Sequence, residues 1–235
     1  FQPVIGEEGL CEIFAIGPAR TPGHGIYEGM KELKPGHCML WNRNGHRIYS
    51  FWRLESAPHE HSLEQTSQHV YELLQDTTQR QLVSDVPIGT LLSGGLDSSV
   101  LTAFAANHYK LTGQEALKTF SVDYVDNDKH FKKSDFQPNA DGPWIKRMSE
   151  FLHTDHFNIV FDTPELVKAL EEVVLARDLP GMADVDGSLY LFCREIKKNV
   201  TVAISGEAAD EIFGGYPWFR RQQSLTADTF PWALY

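Results

Sequence analysis

Pro87-Ile88-Gly89-Thr90-Leu91-Leu92-Ser93-Gly94-Gly95-Leu96-Asp97-Ser98-Ser99-Val100-Leu101-Thr102-Ala103-Phe104-Ala105 decides how the rest of the chain is read. The apolar run Ile88 to Leu92 has the length of a buried strand, two glycines interrupt it, and the residues from Val100 onward are apolar at helical spacing. The stretch therefore reads as strand, glycine turn, helix. Glycines at such a turn let backbone N–H groups come close to a ligand, and the helix that follows offers the positive end of its dipole to an anion. Ser93, Ser98 and Ser99 add hydroxyl donors to what reads as a phosphate cradle. The GxxxxGK[ST] pattern is missing and the loop holds no lysine, so a P-loop kinase or GTPase is not indicated. Asp97 would repel a bare phosphate. The chemistry asks for Mg²⁺ shared between that carboxylate and phosphate oxygens.

Upstream, Ser62 and Gln65 form a capping box, and Leu63, Thr66, Val70, Leu73, Leu74 and Thr77 recur at helical spacing toward Leu82. Downstream, strands read at Leu117 to Val125, His156 to Phe161 and Val200 to Ser205. Helices read at Gly142 to Leu152, Glu165 to Arg177 (with Asp162 and Glu165 as a second capping box) and Gly187 to Lys198. Strands alternating with helices predict a doubly wound α/β fold, a parallel sheet covered on both faces with ligands at the carboxyl ends of its strands. A second cluster sits at such an end: Ser205-Gly206-Glu207-Ala208-Ala209-Asp210-Glu211 follows the apolar run Val200 to Ile204. Glu207 and Asp210 are spaced to share one face of a helix starting there, although an acidic first turn that merely complements a helix dipole has the same spacing.

The first part of the chain differs in character. From Gly6 to Leu54 it is rich in Gly and Pro, and two alternating apolar runs flank Asn42-Arg43-Asn44-Gly45, a hairpin signal with Asn-Gly at the turn. Glu55 to His61 reads as a linker, so residues 1–57 are assigned to one domain and 58–235 to another. Before Pro58 acids and bases balance at six each, so the net charge of -11 comes entirely from the remainder. That charge argues against nucleic acid as a substrate. No apolar run approaches the ~20 residues of a membrane helix, so no membrane association is expected. Cys11, Cys38 and Cys193 are odd in number and far apart, which excludes a disulfide framework and fits a reducing, cytoplasmic compartment.

The two clusters, in this order and separation, resemble the synthetase domain of the glutamine-dependent asparagine synthetases, a branch of the ATP pyrophosphatase (PP-loop) superfamily. The resemblance runs from about Asp85 to Arg221. Tyr27 to His37 also looks like the end of that family's amino-terminal, Ntn-type glutaminase domain, which would make the β-rich opening a remnant of it and the chain a piece of a longer protein. The resemblance implies that Ser93, Gly94, Gly95, Asp97, Ser98 and Ser99 hold the ATP pyrophosphate. It assigns adenosine to Leu91, Val122, Ser205 and Gly206, and Mg²⁺ to Asp97 and Asp210. Glu207 matches the acidic residue needed around the acyl-adenylate. The implied partners are small molecules: ATP, aspartate, and ammonia derived from glutamine, with room for a homodimer of the full-length protein.

Three positions depart from the family pattern. Ala208 replaces a usual glycine, harmless in a helical turn but costly at positive φ. Asp123 replaces a common glycine and adds charge near the adenosine site. Arg177 to Asp186 does not match the aspartate-contacting segment closely, leaving Asp184 and Asp186 as candidate substrate-selecting carboxylates. The glutaminase nucleophile is an amino-terminal cysteine, whereas residue 1 is Phe1, so neither glutamine hydrolysis nor full synthetase activity is expected of this chain alone. Two alternatives stay open: a relative acting on another carboxylate, as β-lactam synthetases do, and a nucleotide-binding module without catalysis. PP-loop tRNA-modifying enzymes want basic surface and paired cysteines, which this chain lacks.

Overall fold

A computed structural model describes residues 3–17, 19–133, 139–229 and 234. The chain divides into two compact units, residues 1–61 with 168–187, and residues 62–167 with 188–235. In chain order its elements are α1 (Glu7–Cys11), β1 (His37–Asn42), β2 (Gly45–Ser50), α2 (Leu63–Gln81), β3 (Ile88–Leu91), α3 (Leu96–Leu111), β4 (Lys118–Tyr124), α4 (Asn127–His130), α5 (Gly142–Leu152), β5 (Asp155–Phe161), α6 (Thr163–Arg177), α7 (Ala183–Ile196), β6 (Val202–Ile204), α8 (Ala209–Phe213) and α9 (Gln222–Leu225).

In the first unit β1 and β2 form the expected antiparallel hairpin, with Asn42 paired to Gly45. The turn itself is Arg43-Asn44, one position earlier than the Asn-Gly signal placed it. Asn42 Oδ1 accepts the Asn44 N–H at 2.8 Å, and Gly45 takes the positive φ of 125° as the chain enters β2. Glycine is needed just after the turn here, not at its centre. Arg177, Gly181, Met182 and Asp186 form a second local motif. Asp186 is buried and accepts from Arg177 Nη1 at 3.0 Å and from the Met182 N–H at 2.9 Å. That reach-back lets α7 begin at Ala183, four residues before the expected Gly187.

The second unit holds a four-stranded sheet in the order β5-β4-β3-β6, all of it parallel. Both capping boxes form: Ser62 and Gln65 bond each other's backbone N–H at the start of α2, and Asp162 and Glu165 do so at α6. The core centres on Phe120, Leu92 and Leu117, all at 2% exposure or less. Phe120 stacks on Phe157 with ring centroids 5.2 Å apart. Gly89 makes this possible, because a Cβ there would lie 2.7 Å from the Phe120 ring.

One face of the sheet is polar. Thr90 Oγ1 pairs with Thr102 of α3 at 2.9 Å, entirely buried. Ser149 of α5 reaches Thr154, Thr154 reaches Thr119, and Thr119 reaches His156 Nδ1 at 2.9 Å. Ser121 contacts His156 Nε2 at 3.1 Å and donates to Asn158 Oδ1 at 2.9 Å. With Ser121 donating to Asn158, a neutral His156 protonated at Nε2 donates to Ser121 and accepts from Thr119 at Nδ1. The neutral tautomer satisfies the chain, and burial pushes the His156 pKa below its ordinary value in the same sense. These bonds also place α3 and α5 on the same face of the sheet, the one carrying Thr119, Ser121 and Asp123.

Candidate active site

The chain runs from β3 to β4 to β5 in one direction and then returns to lay β6 on the other side of β3. That reversal makes the carboxyl ends of β3 and β6 the topological switch point of the sheet, where α/β folds place ligands. Both sequence clusters leave the sheet there. A Cβ on Gly206 would lie 3.1 Å from the Ser98 amide nitrogen and 3.2 Å from Asp97 Cβ, so the loop after β6 rests directly on the first turn of α3. The structure therefore brings Ser93 to Ser99 together with Ser205 and Gly206, residues more than a hundred positions apart.

The α3 terminus has Gly95 as its N-cap and no side-chain cap. Its first N–H groups, from Leu96 on, have no intrahelical acceptor and stay available to an anion. Gly94 holds φ at 79°, and a Cβ there would meet Trp144 Cβ at 2.9 Å and both Asp141 O and Ile145 N at 3.0 Å. Glycine is demanded by conformation and by space at once. Ser98 plays a different part from its neighbours. It is buried, its Oγ receives the Ser93 N–H at 3.2 Å, and it contacts Ser93 Oγ at 3.0 Å and Gly95 O at 3.3 Å. Its hydroxyl is used to brace the loop, while Ser93 and Gly95 are exposed.

The second cluster corrects one expectation. Glu207 and Asp210 do not share a helix face, because α8 starts only at Ala209 and Ala208 holds φ 72°, ψ 0°. That left-handed turn separates exposed Glu207 from half-buried Asp210. Ser205 Oγ accepts the Glu207 N–H at 3.2 Å, fixing the start of the turn. Asp210 lies against Gly215, where its carboxylate occupies the space a side chain would need. The glycine pair Gly214-Gly215 after an acidic helix is the sequence signal for this fit. Tyr216 donates to Glu211 Oε1 at 3.0 Å. Burial raises its pKa first, and Glu211, Asp210 and Glu207 push it the same way.

Ala208 is a strained residue, since a left-handed Cβ costs about 1 kcal/mol or more. Ala208→Gly is expected to raise stability by about 0.5–1 kcal/mol, read as a higher urea midpoint at unchanged slope. An unchanged or lower midpoint would mean that Ala208 does not hold this conformation in solution.

Asp97 and Asp210 are half-buried, and neither carboxylate has an ion-pair or hydrogen-bond partner among the described residues. No group of three or more His, Cys, Asp or Glu is placed to hold a metal by itself among the described residues. Carboxylates of this kind suit a hard cation that takes its other ligands from phosphate oxygens and water, as Mg²⁺ does. Leu91 pairs with Phe120, so Val122 stands on the neighbouring strand beside the departing loop. The candidate substrate-selecting carboxylates fare differently: Asp186 is committed to Arg177 and Met182, and the Asp184 side chain lies outside the described ones. Among the described residues no helix is long and apolar enough to cross a membrane.

The asparagine synthase family model matches residues 69–234. The chain is 53% identical over 231 residues to the glutamine-hydrolysing asparagine synthetase 3 of Bacillus subtilis, covering 97% of this chain and 37% of that protein. It is 31% identical over 219 residues to the glutamine-hydrolysing asparagine synthetase of Zea mays, covering 90% of this chain and 32% of that one. The chain thus spans about a third of the length of these relatives. An NAD+ synthetase structure from Burkholderia pseudomallei aligns over 73% of this chain and 62% of that one at 16% identity, with a TM-score of 0.35, too slight a likeness to bear on function. With the glycine-rich loop and the SGE turn in contact at the switch point, and the family model covering most of its length, the chain belongs to the asparagine synthase family.

Proposed function

We propose that this chain carries the ATP-activating site of an amide-forming ligase. Its substrate is aspartate, activated at the side-chain carboxylate as β-aspartyl-AMP and aminated to asparagine by ammonia that the full-length protein takes from glutamine. The observation that supports this most is the contact of Gly206 with Asp97 and Ser98, which sets the turn after β6 on an uncapped helix N-terminus whose first turn carries an unpaired aspartate.

In this reading the free N–H groups at the start of α3 receive the pyrophosphate portion of ATP, with the exposed Ser93 hydroxyl beside them. Ser98 keeps the loop in the shape that aims those donors. Asp97 and Asp210 are the residues that would hold Mg²⁺, which when bound neutralises phosphate charge as it grows at the α-phosphorus. An aspartate carboxylate oxygen attacks that phosphorus, the bond to the bridging oxygen breaks, and pyrophosphate leaves with the electron pair. Ammonia then attacks the acyl carbon, AMP departs, and a proton is lost from nitrogen. Glu207, exposed and held by its N–H to Ser205 Oγ, would take that proton or orient the amine. Leu91, Val122, Ser205 and Gly206 line the adenosine position. A reducing cytoplasmic compartment suits Cys11, Cys38 and Cys193, all of which are free thiols.

The acceptor is tested by calorimetry with an unreactive sulfamoyl analogue of β-aspartyl-AMP. It is expected to bind at least about tenfold more tightly than AMP and than the γ-glutamyl counterpart. Equal binding of all three would remove aspartate from the reading and favour another carboxylate.

A further inference from the structure

Asp123 ends the polar stripe of the sheet. It follows Thr119 and Ser121 on the face that α3 and α5 cover, and it lines a cleft of about 620 Å³ together with Asn127, Asp141, Ile145, His156 and Asn158. Its carboxylate is fixed in direction. Oδ1 accepts both the Tyr124 N–H and Asn127 Nδ2, each at 2.8 Å. Oδ2 has no partner among the described residues, and Asp123 is only half-buried, so one carboxylate oxygen is held ready as an acceptor on the cleft wall.

Register sets this acceptor one strand away from the glycine loop. Leu91 pairs with Phe120 and the Leu92 N–H bonds Phe120 O, so the loop from Ser93 leaves β3 level with Val122 and Asp123, one strand away. The segment Asp141 to Ile145 that backs Gly94 also walls the cleft. The charges divide the ligand accordingly. The α3 N-terminus favours an anion, whereas the cleft carries Asp123, Asp128, Asp141 and Glu150 against Lys146 and repels one. A molecule that satisfies both ends is anionic at one end and rich in hydroxyl donors at the other. For a nucleotide whose phosphates lie on α3, the group one strand spacing away is the ribose.

We propose that Asp123 reads the ribose hydroxyls of the nucleotide, making it a specificity-determining residue for ribonucleotides. The proposal rests on the nucleotide-binding reading above and goes beyond it. A carboxylate that accepts a ribose hydroxyl is left desolvated and unpaired when that hydroxyl is missing, which is how a polar site rejects a deoxy analogue.

The experiment is calorimetric titration of the chain with Mg-ATP, Mg-2′-deoxy-ATP and Mg-3′-deoxy-ATP, repeated with Asp123→Ala and Asp123→Asn, each variant checked by its thermal melt. Wild type is expected to bind at least one deoxy analogue tenfold or more weakly than ATP. Asp123→Ala should bring all three within about twofold of one another, chiefly by weakening ATP, and Asp123→Asn should keep the melt while shrinking the preference. Equal affinities in wild type, or a preference that survives in Asp123→Ala, would overturn the assignment while leaving the nucleotide site standing. Failure of folded wild type to bind Mg-ATP at all would overturn the nucleotide-binding reading and this assignment with it.

Discussion

Asp97→Ala is expected to weaken Mg-ATP binding by about two orders of magnitude or more, with the fold intact. Asp97 stands in the first turn of α3, where its carboxylate complements the helix dipole but has no partner of its own among the described residues. Removing it therefore costs the fold at most a few tenths of a kcal/mol, whereas a hard cation loses one of very few protein ligands. Asp210→Ala should act in the same direction and also leave space beside Gly215. If the two aspartates serve one ion, the double variant should lose little beyond the worse single one, because removing either ligand already empties the site. Calorimetry with Mg-ATP, and with ATP in the presence of chelator, measures both effects. Binding that persists in Asp97→Ala, or that ignores the chelator, would separate the phosphate cradle from any metal.

Gly94→Val is expected to cost about 3 kcal/mol or more and to abolish nucleotide binding even where the chain still folds. Two penalties act together. A β-branched residue at φ 79° is strained, and its Cβ would press on Trp144 Cβ and on backbone atoms of Asp141 and Ile145, none of which is the free end of a flexible side chain. The first turn of α5 would have to withdraw, taking with it the wall of the cleft. Urea unfolding reads the first effect and calorimetry the second. Gly95→Ala makes the comparison: Gly95 has φ -70°, and a Cβ there meets only Ser93 Oγ at 3.4 Å. It should be nearly neutral for stability. A Gly94→Val variant as stable as Gly95→Ala would show that the close approach to α5 is absent in solution.

Much of the fold was legible because its signals are local. A capping box is two hydrogen bonds within four residues, and both boxes at Ser62 and Asp162 form as read. The alternation of strands and helices fixed a parallel sheet, since a crossover helix returns each strand in the same direction. The misreadings share a cause. Glu207 and Asp210 have helical spacing, but spacing is silent about where a helix begins, and Ala208 begins it late by adopting a conformation its residue type disfavours. Asp186 looked available because a carboxylate in a polar stretch usually is. Arg177, nine residues away, consumes it only once the chain bends back at Gly181.

The residues of the candidate site stand in the sequence as two clusters, and the tertiary structure gives chemically similar members different surroundings. Ser93, Ser98 and Ser99 are chemically alike, so composition assigns all three to the phosphate. Packing turns Ser98 inward as a brace and leaves Ser93 exposed. Asp123 read as an unwelcome charge, and the anchoring of its Oδ1 by Tyr124 and Asn127 makes it a directed acceptor. The sequence by itself determined the parallel sheet and the position of the two clusters after its strands, because helix, strand and turn preferences act over a few residues. Only the tertiary structure decided that β6 returns beside β3 and sets Gly206 on Asp97. That contact joins residues more than a hundred positions apart, and no local preference reports it: it exists because a Cβ-less residue at the switch point lets two strand ends close on the same helix N-terminus.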